Sequence, residues 1–126
     1  MTREETKAAV KALLIPDEDF AARLEDTIKP WVAEHLQEEY FTSFDGTRIH
    51  THYAIHPKEK ASIVISHGIC EFAGKFHEVM YYMYEMGYSV FFIEHRGHGF
   101  SDRADCIHEW DRVYVKDYGE YVQDMH

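Results

Sequence analysis

The sequence predicts an α/β fold in which a helical segment precedes an antiparallel hairpin and a parallel strand–helix–strand unit. Hydrophobic residues recur at helical spacing near the N-terminus and alternate from Tyr40 onward, and two short apolar runs flank one amphipathic helix. The 126 residues, 45% of them hydrophobic, suffice for one domain with a modest core. We therefore expect a helical extension at residues 1–38 and an α/β part at residues 39–126.

The N-terminal extension predicts three short helices. Thr2 and Glu5 form a capping-box pattern in front of the first helix. Pro16 ends that helix, and Pro30 suits the first turn of the third. None of these segments contains a recognisable chemical motif.

A hairpin follows the extension. Asp45-Gly46 is a strong turn signal between the alternating segments 40–44 and 48–55. His50 and His52 share one face of the second segment, which we expect to be the polar face of a half-buried hairpin.

The second half of the chain predicts a parallel unit. Residues 63–65 and 89–93 are short apolar runs typical of strands covered on both faces. Between them a helix is expected over 75–86, ending before Gly87. A strand–helix–strand unit makes the two strands parallel, and its crossover is expected to be right-handed. After a loop over residues 94–112, four residues share one face of a last helix: Tyr118, Tyr121, Val122 and Met125.

Chemistry is expected where the two parallel strands end, because ligands of open α/β sheets lie outside the carboxyl ends of the strands. The first loop reads Ser66-His67-Gly68-Ile69-Cys70-Glu71. The second reads Glu94-His95-Arg96-Gly97-His98-Gly99-Phe100-Ser101.

Together the two loops resemble the α/β-hydrolase superfamily, in its monoacylglycerol lipase, lysophospholipase and serine aminopeptidase-like branch. That branch shows HGxxE after its third strand and D-x-RGHG-x-S after its fourth. The matches here are His67-Gly68-x-x-Glu71 and Arg96-Gly97-His98-Gly99-x-Ser101, with departures at Glu94 and Cys70. Over residues 38–126 the resemblance implies the N-terminal half of an α/β-hydrolase fold, truncated before the nucleophile elbow.

The resemblance also implies roles for the two loops. In this fold a backbone N–H from the loop after the third strand helps to bind the reaction's oxyanion. The candidate donor is the backbone N–H of Ile69, which follows the His67-Gly68 pair. Gly68 would allow close backbone approach, and Glu71 would position the loop. The segment Arg96–Ser101, including Gly97, His98 and Gly99, would be a scaffold beside the site.

By resemblance, the function is that of a serine hydrolase of carboxylic esters, with an acylglycerol or lysophospholipid substrate and no cofactor. No serine lies in a G-x-S-x-G elbow: Ser66 precedes His67-Gly68, and Ser101 has one of the two glycines. Residues that match the family's acid and base are absent as well. We therefore expect an incomplete chain that is inactive alone.

Two alternatives stay open. The chain could belong to a peptidase-type member of the same superfamily. It could also be a non-catalytic half-domain that associates with another chain or with itself, because the family's strand order would leave residues 63–65 at an unpaired apolar edge.

Composition excludes several other classes. A net charge of −10 disfavours nucleic acid as a partner, and no apolar run is long enough for a transmembrane segment. Cys70 and Cys106 form no disulfide framework, so a soluble protein of the reducing cytoplasm is expected. We expect no metal site, because His95 and His98, with Cys106 and His108 downstream, lack a recognised ligand spacing.

Overall fold

A computed structural model describes residues 1–109 and 112–126. A four-stranded mixed sheet carries helices on one face, and this is a partial α/β-hydrolase fold. The strands are β1 (Gln37–Thr42), β2 (Arg48–Ala54), β3 (Ser62–Ser66) and β4 (Ser89–Ile93). The helices are α1 (Arg3–Leu13), α2 (Phe20–Arg23), α3 (Lys29–His35), α4 (His77–Glu85) and α5 (Gly119–Asp124). None of these described helices is long and apolar enough to cross a membrane.

The N-terminal helices follow the predicted signals. The capping box is confirmed, since Thr2 Oγ1 accepts a hydrogen bond from the Glu5 N–H and the Glu5 carboxylate accepts one from the Thr2 N–H. Pro30 lies in the first turn of α3, as predicted. No gap separates α2 from α3, because the π-helical turn Leu24–Ile28 joins them. Pro30 has no N–H to donate to the preceding turn, which favours this wider hydrogen-bonding pattern.

The sheet order is β1-β2-β4-β3. The β1–β2 pair is antiparallel, so the predicted hairpin is confirmed, with Gly46 at a positive φ of 88° in its turn. The parallel pairing of β3 with β4 is confirmed as well. Strand β4 therefore lies in the middle of the sheet, and its carboxyl end adjoins that of β3.

The expectation that His50 and His52 line a polar face is wrong. Both side chains are buried, and Ala54 on the same face is fully buried. Helices α3 and α4 cover this side of the sheet with Trp31 and Met80. The helices thus bury the histidine face of β2.

The apolar sequence of β3 predicted a strand covered on both faces, and this prediction is wrong. The side chain of Val64 is 51% exposed, and β3 forms one edge of the sheet. The edge position itself agrees with the strand order that the family resemblance implied. Strand β4, paired on both sides, buries Val90 and Phe92 on one face, but Phe91 and Ile93 on the other face are only partly buried, so the predicted coverage of both faces holds in part.

Helix α4 buries Met80 and Tyr84 in the core, while Val79 is partly exposed. Residues Ala73–Phe76 form a 3₁₀ turn, so the α-helix starts two residues later than predicted. Gly87, with a φ of 94°, ends the helix as predicted.

The four residues predicted to share one face of α5 do lie together, along one open cleft. Of these, Tyr118, Val122 and Met125 are exposed, while Asp124 on another side of the helix is buried. An ion pair between Asp124 and Arg96 holds the helix, so a charged residue faces the protein. Positions 110 and 111 of the predicted loop 94–112 lie outside the described residues.

Candidate functional site

The two predicted loops come together at the carboxyl ends of β3 and β4. The His95 N–H donates to His67 Nε2 at 2.9 Å, and Ser66 Oγ lies 2.9 Å from His95 Nε2. Parallel pairing of Ser66 with Ile93 sets this proximity. The structure therefore brings the HGxxE and RGHG motifs to a single edge of the sheet.

His67 links the two loops. Its Nδ1 lies 2.6 Å from the Gly68 carbonyl oxygen, which can only accept, so Nδ1 carries the proton. The Nε2 lone pair is then available for the His95 N–H. The ring stacks on Phe92, with ring centroids 5.4 Å apart. His67 is thus held in one tautomer and serves as a connection between the loops.

Ile69 is an exposed residue of the predicted site. Its side chain is 77% exposed, and its backbone N–H donates to no acceptor within the described parts of the chain. The neighbouring Gly68 N–H is occupied by Glu71 Oε2 at 3.2 Å. Cys70, next along the loop, has a positive φ of 61°. The N–H groups of Ile69 and Cys70 donate to no acceptor in the described residues, whereas that of Gly68 is engaged.

An open cleft of about 370 Å³ lies beside this amide. Its walls include Ser66, Ile69, His98, Tyr121, Val122 and Met125. The outward face of α5 contributes two of these apolar side chains, which explains where the predicted apolar face of that helix lies. An apolar chain with a polar end group suits such a lining.

Glu94 anchors the loop after β4. Its side chain is 2% exposed, with Oε1 2.6 Å from His50 Nδ1 and Oε2 accepting from the Ala73 N–H at 3.1 Å. The Phe100 N–H also donates to Oε1, at 3.3 Å. Sequence reasoning noted Glu94 only as a departure from the family. Its place directly after a buried strand was the signal that a charge there needs several partners.

Gly99 packs closely against Glu94, and Ser101 forms a hydrogen bond with it. A Cβ atom at Gly99 would lie 1.8 Å from Glu94 Oε2, and Gly99 has a φ of 49°. Ser101 Oγ donates to the Glu94 carbonyl at 2.6 Å and accepts from the His50 N–H at 2.8 Å. Because L-residues rarely adopt this φ and no side-chain volume is free, position 99 requires glycine.

Arg96 joins three parts of the fold. Its guanidinium donates two hydrogen bonds to Asp124 and two to Asp45 in the hairpin turn, and it lies 3.4 Å from Glu120. These hydrogen bonds hold the pKa of Asp45 well below its usual value and raise the pKa of Arg96. Arg96 therefore fixes both the hairpin turn and α5 relative to the site.

His98, another residue of the predicted scaffold, is buried. Its Nδ1 lies 3.1 Å from the Arg96 carbonyl oxygen. Burial is the main cause that lowers its pKa. Its ring packs against His67, with centroids 4.7 Å apart. His98 thus supports the first loop from below while lining the cleft.

Ser66 and His95 are in contact, and serine and histidine are two members of a catalytic triad. Burial, followed by the charges of His67 and His98, lowers the pKa of His95 to about 4. Its buried Nδ1 has no hydrogen-bond partner in the described residues. A base of such low pKa, with no carboxylate to orient it, is poorly matched to deprotonating a serine near neutral pH.

A second cluster of polar groups lies on the helix-covered side of the hairpin. One candidate ligand atom each from Glu38, His50 and His52 lie within 4.8 Å of one another. Sequence reasoning missed this group, because the three residues meet only through strand pairing. The signal was the His50-x-His52 alternation with Glu38 on the partner strand. In residues 1–109 and 112–126 no comparable group includes Cys106 or His108.

Comparisons with known proteins agree with the fold and the two loops. Residues 57–126 match the family model Hydrolase_4, described as serine aminopeptidase, S33. The monoacylglycerol lipase of Mycolicibacterium smegmatis (strain ATCC 700084 / mc(2)155) is 30% identical over 95 residues, which are 75% of this chain and 31% of the lipase. The chain therefore spans about a third of the length of that relative.

Solved structures show the same fold at lower identity. A soluble variant of monoglyceride lipase from Saccharomyces cerevisiae has a TM-score of 0.57 at 19% identity, covering 71% of this chain and 29% of the lipase. Epoxide hydrolase A from Mycobacterium thermoresistibile has a TM-score of 0.56 at 20% identity, covering 71% of this chain and 26% of that enzyme. One fold here accompanies two different chemistries, so the fold alone does not select between them.

Proposed function

Because this chain belongs to the Hydrolase_4 family, the serine aminopeptidase (S33) type of α/β-hydrolase, we propose that it contributes to the hydrolysis of carboxylic esters of the acylglycerol type. The monoacylglycerol lipase identity of a 30% identical relative supports an acylglycerol over a peptide. The mechanism would be acyl transfer to a serine, without metal or organic cofactor.

The observation that carries the proposal is the free N–H of Ile69 beside an apolar cleft. Attack on an ester carbonyl places negative charge on the carbonyl oxygen, and a fixed N–H donor stabilises that charge more in the transition state than in the ground state. Glu71 occupies the Gly68 N–H, and the family resemblance favours Ile69, directly after His67-Gly68, over Cys70 as the donor. The acyl chain would lie along Val122 and Met125.

The described residues supply the oxyanion side of this chemistry and, in our proposal, not the nucleophile. Ser66 ends a strand without an elbow, and its histidine neighbour has a low pKa. Ser101 is buried and holds Glu94 and His50 together. We therefore expect the 126-residue chain to form no acyl-enzyme by itself.

A fluorophosphonate probe tests this expectation directly. The chain is incubated with the probe and analysed by intact-mass and peptide mass spectrometry, and turnover of a monoacylglycerol is followed in parallel. We expect neither a labelled serine nor hydrolysis above the buffer rate. Labelling at Ser66, removed in Ser66→Ala, would contradict the proposal, and an active serine hydrolase labelled alongside verifies the probe.

A second candidate function is association with another chain through β3. Its support is the edge position of β3 and the half-exposed side chain of Val64. Such an edge can accept a further strand. In size-exclusion chromatography the chain would then elute as a dimer or larger species, and Val64→Lys would restore the monomer. A wild-type monomer across the accessible concentration range rules out self-association.

A further inference from the structure

The β1–β2 pairing places three ligand-type side chains on one face of the hairpin. Glu38 pairs directly with His52, and His50 lies two residues from His52 on the same strand, so all three side chains point to the same side. One candidate ligand atom from each lies within 4.8 Å of the other two. The hydrogen-bonded ladder fixes these positions before any ligand binds.

Hydrogen bonds orient both imidazole rings. His50 Nδ1 lies 2.6 Å from Glu94 Oε1, and a carboxylate can only accept, so this nitrogen carries the proton. His52 Nδ1 lies 3.3 Å from His77 Nε2. Each ring therefore has its Nδ1 engaged and its Nε2 left over. Metal-binding histidines in proteins have this pattern, in which a carboxylate or another acceptor holds the second nitrogen.

The Nε2 atom of His52 is an independent indication of a ligand. His52 is 6% exposed, and this nitrogen has no hydrogen-bond partner in the described residues. It lies 3.1 Å from Glu38 Oε1, without the angle of a hydrogen bond. A buried polar atom without a partner costs about 1–3 kcal/mol, and a coordinated cation would remove that cost.

We propose that Glu38, His50 and His52 form a binding site for a divalent transition metal, with Zn²⁺ as the best match. A set of two imidazoles and one carboxylate suits Zn²⁺, whereas Mg²⁺ and Ca²⁺ prefer oxygen ligands to imidazole nitrogen. In a tetrahedral site with metal–ligand bonds of about 2.0–2.1 Å, ligand atoms lie about 3.3 Å apart. Glu38 Oε1 already lies 3.1 Å from His52 Nε2, and its side chain, which is 61% exposed, has room to adjust its distance from His50.

This metal would join β1 to β2 next to the buried pair of Glu94 and His50. The site is separate from the Ile69 loop, so its role is structural and its occupancy does not depend on the proposed ester hydrolysis. Glu94 links the two regions, because it orients His50 on one side and receives the Phe100 N–H on the other. Binding of the metal would therefore stiffen the scaffold loop as well as the hairpin.

Titration of the metal-free 126-residue chain with Zn²⁺, in competition with a chromophoric chelator, tests the site. We expect one ion per chain, and Co²⁺ in place of Zn²⁺ should give the visible absorption of a nitrogen- and oxygen-ligated ion. Glu38→Gln should weaken Zn²⁺ binding by about tenfold or more, because it removes the charged ligand. Glu39→Gln is the matched control: it makes the same charge change on the opposite face and should bind Zn²⁺ as the wild type does.

His52→Gln provides a second variant, with circular dichroism to verify its fold. Loss of binding in folded His52→Gln supports the site. Equal Zn²⁺ affinities for Glu38→Gln and Glu39→Gln would overturn it, as would no Zn²⁺ binding by the wild type. Intense cobalt–thiolate absorption would also overturn it, by locating the ion at Cys70 or Cys106.

Discussion

The loops after β3 and β4 start at neighbouring strand ends, yet they use their polar groups in different ways. In the loop after β4, Glu94, Arg96 and Ser101 are buried and hydrogen-bonded within the protein. In the loop after β3, Ile69 is exposed and its N–H has no acceptor in the described residues. The charged groups of one loop are paired within the protein, while the other loop has a backbone N–H without an acceptor in the described residues.

This difference indicates how a site can be both rigid and available. The loop after β4 fixes His95 and, through His67, the start of the loop after β3. Glu71 then occupies the Gly68 amide on one side of Ile69, while the Cys70 amide on the other side has no acceptor in the described residues. In our proposal, pre-organisation of the site thus comes from the loop whose charged groups are paired within the protein.

The largest expected effect on stability comes from replacing a glycine in each loop by alanine. Gly99→Ala should lower the free energy of unfolding by about 4–5 kcal/mol, because the new Cβ meets the Glu94 carboxylate at 1.8 Å and the backbone has a positive φ. Gly68→Ala should cost less than about 1 kcal/mol, since its Cβ would lie 3.7 Å from Glu71. Urea unfolding measures both. Similar losses for the two variants would contradict the distinction between the loops.

Removal of the Arg96 charge should have the next largest effect. Arg96→Gln leaves the buried Asp124 carboxylate without its cation, which should cost about 3 kcal/mol. Arg48→Gln is the control, because Arg48 and Asp102 form an exposed pair at 3.4 Å that should contribute less than about 1 kcal/mol. Thermal or urea unfolding compares them. If Arg96→Gln cost no more than Arg48→Gln, Arg96 would not be the anchor of α5.

Acid should destabilise the fold through buried histidines. Burial lowers the pKa of His52 and of His95 to about 4, so the unfolded chain binds more protons than the folded chain between about pH 6.5 and 4. Stability is therefore complete above pH 6.5 and decreases as the pH falls. We expect a loss of about 2 kcal/mol for each of the two histidines between pH 7 and 5. Urea unfolding at several pH values measures this loss of stability. A weaker pH dependence in His95→Gln would assign part of the loss to His95. Stability that does not change with pH would contradict both low pKa values.

The smallest effect is expected at Glu71. Glu71→Ala removes the acceptor of the Gly68 N–H on an exposed loop, at a cost of about 0.5–1 kcal/mol. Hydrogen exchange at the Gly68 amide should become faster, whereas Glu71→Gln keeps an acceptor oxygen and should change less. A loss of stability as large as that of Arg96→Gln would show that Glu71 does more than position its loop.

The parts of this fold that sequence could predict are those with local or periodic causes. The capping box at Thr2, the turn at Gly46 and the parallel unit were predictable from spacing and turn chemistry. Burial of His52 was not, because it depends on which side of the sheet the helices cover. Asp124 was assigned no role for a similar reason, since its partner Arg96 lies 28 residues away in sequence.

The proposed oxyanion donor at Ile69 is tested most directly by ligand binding to the ¹⁵N-labelled chain. Decanoate, a fatty-acid product of ester hydrolysis, presents a carboxylate to the amide and an acyl chain to the cleft. We expect a saturable shift of the Ile69 amide resonance and little change at Gly68. Ile69→Ala keeps the N–H, whereas Ile69→Pro removes it and should weaken binding by about tenfold, the effect of one charge-assisted hydrogen bond. Equal decanoate affinities for folded Ile69→Pro and Ile69→Ala would contradict the account.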